Sequence, residues 1–225
     1  MHEIWSNPLF GVFLTILCFM IGMKLHEITN SPLVNPLLIG TALCYIILRV
    51  FHISVSDYMV GGRFISMLLL PSTAVLGLSI YRQRKILKEE FWPVVIGCVA
   101  GSITSIVTTV LLCRLFFMDN TIVASLIPKS VTTAIAIDIS EQLGGVQAIT
   151  IFAVMVCGTA GAVFHPILIK YCKLSNKVAA GVAIGTSSHA AGTSSAIKLG
   201  KVEGAISGVS IGIAGIATVL IALFL

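Results

Sequence analysis

The stretch TIVASLIPKSVTTAIAIDISEQL, Thr121 to Leu143, opens as an apolar helix, meets Pro128, places Lys129 directly after it, and closes with Asp138 and Glu141. Proline removes a backbone donor and clashes with the preceding turn. A lysine at membrane depth costs about 2.5 to 3.5 kcal/mol on insertion scales, so it is expected to face a cavity, a partner or a substrate. The flanks of this stretch are the long apolar runs Phe91 to Phe117 and Val146 to Ile169. Across all 225 residues, 57% are apolar and only 10% charged, and the mean hydropathy is +1.05. An ordinary soluble domain carries about 25% charged residues. The chain therefore reads as an all-α polytopic membrane protein, a single integral membrane domain over residues 1–225, and a soluble catalytic domain is excluded.

Counting parity says how the central stretch sits. Arg82, Arg84, Lys85 and Lys88 form the densest basic cluster, and Lys170, Lys173 and Lys177 form a second. The positive-inside rule puts both loops in the cytoplasm, so an even number of crossings must join them. Three hydrophobic stretches lie between, and the one holding Pro128 and Lys129 is the one expected not to cross. It is expected to be a re-entrant hairpin or a helix broken near Pro128, which is tolerated only where protein or a water-filled cavity satisfies the backbone.

Outward from there, apolar runs Leu9 to Met23 and Leu33 to Phe51 read as plain spans. Phe64 to Ile80 holds a mid-segment Pro71, where a second break is expected. Lys177 to Leu199, KVAAGVAIGTSSHAAGTSSAIKL, is dense in glycine and hydroxyls, which weakens an unbroken helix and points to a break near Gly185 and Ser188. Val202 to Leu225 is a small-residue helix suited to close packing, as is the GCVAGS stretch of the fourth segment. About seven to eight hydrophobic segments result. LLLPSTAVLGLSI around Pro71 and SLIPKSVTTAIAI around Pro128 align with their prolines in register. Interrupted segments at corresponding places in two halves point to a transporter built from inverted or pseudo-symmetric repeats.

The polar residues divide into an anion site and a proton site. Lys129, the hydroxyls of Ser130, Thr132 and Thr133, and the free N–H groups of a helix restarting after Pro128 would together bind an anion. Ser187, Ser188 and Thr193 would add hydrogen bonds, and Gly185 and Gly192 would allow close backbone approach. His189, among those hydroxyls, is the proton-coupling candidate, or would bind a substrate hydroxyl. The competing readings are a Lys129 that snorkels to an interface and a His189 that only ties two helices together. Asp138 lies too far along a continuous helix to pair with Lys129. No G-x-S-x-G elbow, H-E-x-x-H pattern or C-x-x-C pair occurs, so neither an enzyme nor a metal site nor any cofactor is expected. The six cysteines read as packing residues, and the excess of basic side chains at segment ends says nothing of nucleic acid.

IPKSVTTAIAIDIS, Ile127 to Ser140, and GVAIGTSSHAAGTSSAIKLGKVEGAISG, Gly181 to Gly208, resemble the two signature stretches of the LrgB/CidB family, and LLLPSTAVLGLSIYRQ, Leu68 to Gln83, is similar to a third. Two departures are Ala134, where the family pattern has Pro, and Ala191, where it often has Ile. The resemblance implies a multi-pass protein of the bacterial inner membrane, paired with an LrgA/CidA holin-like partner and acting as an antiholin-like regulator of murein hydrolase activity. It also implies kinship with the C-terminal half of the plant plastid glycolate/glycerate translocator and with relatives implicated in pyruvate uptake. A carrier of small monocarboxylates such as glycolate, glycerate, pyruvate or lactate is thus expected, with the antiholin role as its alternative. The lipid bilayer, a carboxylate substrate, the holin-like protein and a second copy in a homodimer are the partners expected.

Overall fold

The computed structural model describes residues 5–225 apart from 30–33, 35, 69–70, 72–73, 76–77, 79–80 and 83, with backbone alone at 87 and 166. The described residues fall into two compact units, Met1–Thr73 and Ala74–Leu225.

The first unit holds α1 (Pro8–Thr29), α2 (Pro36–Val50) and α3 (Val55–Ser66). Leu14, Cys18, Cys44, Leu48 and Ile53 form its core. Thr15 Oγ1 and Tyr58 Oη share a hydrogen bond of 2.7 Å between α1 and α3. Helix α3 was not expected, because SVSDYMVGGRF is only weakly apolar. It is started by Ser54, whose hydroxyl accepts from the Asp57 N–H. The break expected at Pro71 falls where its neighbours, residues 69–70 and 72–73, lie outside those described, and so does its correspondence with Pro128.

The second unit runs α4 (Arg84–Glu89), α5 (Phe91–Leu115), α6 (Asn120–Leu126), α7 (Thr133–Gln142), α8 (Gln147–Tyr171), α9 (Lys177–Leu199) and α10 (Lys201–Ala222). The basic cluster, expected as a loop, is in part the short helix α4. Among the described residues, four helices, α1, α5, α8 and α10, are long and apolar enough to cross a membrane. On α5 the exposed side is Ile96, Val99, Ile103, Val107 and Leu111, whereas Val94, Cys98, Ser102, Ile106, Thr109 and Cys113 face inward. A helix with its large apolar residues outward and its small or hydroxyl residues inward is built for lipid.

Between the two basic clusters, α5 and α8 are the helices long enough to cross. The stretch joining them is broken as expected: α6 stops at Leu126, residues 127–132 are turn and extended chain, and α7 restarts at Thr133. At 7 and 10 residues, these helices are only about 10 and 15 Å long against a core of about 30 Å. The chain also doubles back, since the Val146 N–H donates to Ser125 Oγ at 2.7 Å. The segment is broken and folds back on itself, as a re-entrant hairpin would.

Helix α9 is interrupted at Ser188 (φ −141°, ψ 21°) and His189 (φ 40°, ψ −140°). Of the two positions near which a break was expected, it falls at Ser188 and not at Gly185. Gly185 itself is helical, and its missing side chain lets the Ser207 carbonyl of α10 approach.

Candidate functional site

Two helices frame the site. Gly97 and Gly101 of α5 let α9 pass close, since a β-carbon there would lie 2.8 Å from Val182 Cγ1 and 2.6 Å from Thr186 Cγ2. Beside this crossing opens a cavity of about 760 Å³. At one end stand Glu90 and Asn176, the residues preceding α5 and α9. Asn176 is fixed there because its Oδ1 accepts from the N–H groups of Val178 and Ala179 at 2.9 and 3.1 Å. The walls carry the hydroxyls of Thr104, Ser105 and Thr108 of α5, Thr186 and Ser187 of α9, and Ser130, with Cys157 beside them, and are otherwise apolar, with Pro93, Val178, Val182 and Ala183 among the lining.

The cavity thus reaches both interruptions. Ser130, from the break between α6 and α7, shares a hydrogen bond of 2.8 Å with Ser105. Cys157 of α8 lies 3.9 Å from Ser130 Oγ and donates to the Ser187 carbonyl at 3.2 Å, so one thiol touches both breaks. Lys129 points back to α5, where Nζ donates to Thr109 Oγ1 and, at 3.4 Å, to Ser105 Oγ. Both recorded partners of this ammonium are hydroxyls. Since Ser105 lines the cavity, the cation is one hydroxyl removed from it.

The second break is held by α8. His189 Nε2 is 3.0 Å from the Val154 carbonyl, and His165 Nε2 is 2.9 Å from Ser187 Oγ. Gly158 and Gly161 leave room for this arrangement, because a β-carbon on Gly158 would come within 2.7 Å of the His189 ring, and one on Gly161 would overlap Ser188. Val154, Cys157, Gly158, Gly161 and His165 follow helical spacing along one face of α8.

The residues singled out in the sequence are only partly gathered. Ser130 and Ser187 line the cavity, and Lys129 adjoins it. Thr132 precedes α7 with its hydroxyl buried and without a partner, and Thr133 begins that helix. Ser188 is buried beside Ser187, its Oγ 3.4 Å from Ser187 Oγ. His189, Gly192 and Thr193 are not among the cavity-lining residues. Thr193 bonds Ser207 Oγ of α10 at 2.7 Å and its own helix at the His189 carbonyl, and Gly192 abuts Ser188 and Ile184. Sequence reasoning passed over Ser105, Thr109, Cys157 and His165. The first two had a signal in SITSIVTT, residues 102–109, a run of hydroxyls inside an otherwise apolar helix.

No group of three or more His, Cys, Asp or Glu side chains suited to a metal ion occurs among the described residues. Interrupted helices meeting at a largely apolar cavity that carries a few hydroxyls, one hydroxyl away from a cation and framed by the long apolar helices α5 and α8, define a polytopic helical membrane protein with a polar centre. The chain belongs to the LrgB-like family, whose model matches residues 15–225.

Among its relatives, the Antiholin-like protein LrgB of Bacillus subtilis (strain 168) is 33% identical over 220 residues, covering 97% of this chain and 95% of the relative. YwbG of the same organism, described as an uncharacterized protein, is 33% identical over 215 residues, 96% of each chain. The Antiholin-like protein LrgB of Bacillus mycoides (strain KBAB4) is 31% identical over 216 residues, covering 96% of this chain and 94% of the relative. No solved structure matches the chain.

Proposed function

We propose that this protein is a secondary carrier of small monocarboxylates in the bacterial cytoplasmic membrane. The observation that carries the reading is the cavity that reaches both helix breaks and ends beside Lys129. A two- or three-carbon hydroxy- or keto-acid needs a cation for its carboxylate and hydrogen-bond partners for its second oxygen. Ser105, Ser130 and Ser187 offer the latter, and Lys129, now resting on two hydroxyls, can exchange them for a carboxylate at little cost. Broken helices at mid-depth are the means by which carriers place such groups and move one part of the bundle against another. Nothing in this reaction makes or breaks a covalent bond, so the protein acts as no enzyme.

A second reading has the names of the relatives behind its first half: an antiholin-like regulator, which would act with a holin-like membrane protein of the LrgA/CidA type. Under it the polar centre only fastens helices together. Uptake of labelled glycolate, glycerate, pyruvate and lactate into proteoliposomes holding this chain alone separates the two. The carrier reading expects saturable uptake by the wild type and its loss in a folded Lys129→Gln variant. Well-folded wild-type protein that takes up none of the four, with or without a holin-like partner, sinks it. A Lys129→Gln change that alters assembly with that partner instead favours the regulator.

A further inference from the structure

His165 plays no part in the site read from the sequence, yet it is the histidine that touches the cavity wall. Its Nε2 lies 2.9 Å from Ser187 Oγ. That hydroxyl already gives its proton to the Ala183 carbonyl at 2.6 Å, so toward His165 it can only accept. Nε2 therefore carries the hydrogen, and in the neutral ring Nδ1 is a bare acceptor. Nδ1 is shut away from solvent and has no hydrogen-bond partner. A buried nitrogen lone pair left unsatisfied is costly. Protonating it there would bury a charge with no counter-ion, so the ring is neutral while the site is closed and takes a proton only where Nδ1 opens to water.

We infer that His165 is the group that takes up a proton in this protein, at Nδ1, and that its charge state is coupled to the break in α9 through Ser187. The inference rests on the carrier reading above. Nε2 faces the residue immediately before the interruption at Ser188 and His189, whereas Nδ1 is occluded with the cavity as it stands. Movement of the break is what would open it. A proton site closed in one conformation and open in another is the requirement for coupling proton movement to solute movement. His189 is less suited, because its Nε2 is held by the Val154 carbonyl and neither of its ring nitrogens is both buried and without a partner.

The surroundings leave this titration uncontested. Helix α8 packs on α9, α7 and α6. On α9 the titratable groups are Lys177 and Lys198, both exposed, and His189, bonded three turns away along α8. On α7 they are Asp138 and Glu141, both exposed, and α6 has none. On α8 itself, Cys157 bonds the Ser187 carbonyl and Lys170 and Tyr171 are exposed. Among the described residues none of these bonds to His165.

His165→Gln tests the inference, because the glutamine amide can still donate to Ser187 but cannot titrate. In proteoliposomes the readout is the ratio of uptake with an inward proton gradient to uptake without one. The ratio should exceed unity for the wild type and His189→Ala and fall to unity for His165→Gln. A His165→Gln variant that keeps the wild-type ratio overturns the inference and leaves the carrier reading standing. A well-folded wild type without uptake, with or without a holin-like partner, overturns the carrier reading and the coupling together. An independent arm needs no transport: imidazole nitrogen shifts of ¹⁵N-histidine-labelled protein in lipid, with the His165 signals found by difference from His165→Gln. A hydrogen on Nε2 with a bare Nδ1 that takes a proton on acidification is expected. A hydrogen on Nδ1 of the neutral ring, or a ring unchanged from about pH 8 to pH 5, rejects the assignment.

Discussion

Ser188 occupies the space that a side chain on Gly161 would need: a β-carbon at position 161 would overlap both the hydroxyl and the β-carbon of Ser188. The interruption of α9 is therefore set by the surface of α8 as well as by its own residues.

Gly161→Ala should push the Ser188–His189 corner off α8 and destabilise the protein by about 1 to 3 kcal/mol, as overpacking does. Ser188→Gly removes the two closest colliding atoms and leaves only His165 Cε1, at 2.8 Å, so the double variant should recover most of the loss. Unfolding of the four proteins in one detergent measures this, and strictly additive losses would contradict the contact.

The backbone of His189, at φ 40°, lies where only glycine is at ease. His189→Gly and His189→Ala both lose the bond to Val154. The glycine variant should nonetheless be the more stable, by about 1 to 2 kcal/mol, because it alone is spared the left-handed penalty. Equal stabilities would mean that the corner relaxes once the imidazole is gone.

Thr109 is an acceptor for the Lys129 ammonium. Thr109→Val keeps the shape and removes the acceptor, at an expected cost of about 1.5 to 3 kcal/mol for a hydrogen bond to a charged group. In a Lys129→Met background the same change should cost much less. A Thr109→Val penalty independent of residue 129 would show that the two side chains do not interact.

If the broken stretch between α5 and α8 is re-entrant, it dictates which loops share a side. In a variant whose own cysteines are removed, single cysteines at Asp119 and Gly144 should label from one side of the membrane and a cysteine at Lys173 from the other. Labelling of positions 119 and 173 from the same side would mean that the central stretch crosses after all.

Much of this could be read before the structure, for identifiable reasons. Pro128 ends α6 through a missing N–H and a steric clash, which are properties of the residue itself, so that break was visible in sequence. The α9 break was visible only to within a few residues. Glycine and hydroxyls weaken a helix wherever they stand, and the exact corner is chosen by Gly158 and Gly161 on another helix. The helix ends at Phe117, Lys173 and His52 take positive φ at residues with no preference for it. They are fixed by bonds such as Met118 N–H to the Cys113 carbonyl and Leu174 N–H to the Ile169 carbonyl. His165 escaped for a related reason: its neighbours in sequence are apolar, and its importance comes from Ser187, 22 positions away.

Each break also finds its principal partners earlier in the chain. Lys129 and Ser130 rest on Ser105 and Thr109, and Ser187 and His189 rest on Cys157, His165 and Val154. A ribosome feeding this chain into a bilayer makes α5 before the Pro128 turn, and α8 before the Ser188 corner. Each polar interruption then arrives at a surface already waiting to receive it, and the order of synthesis doubles as an order of assembly.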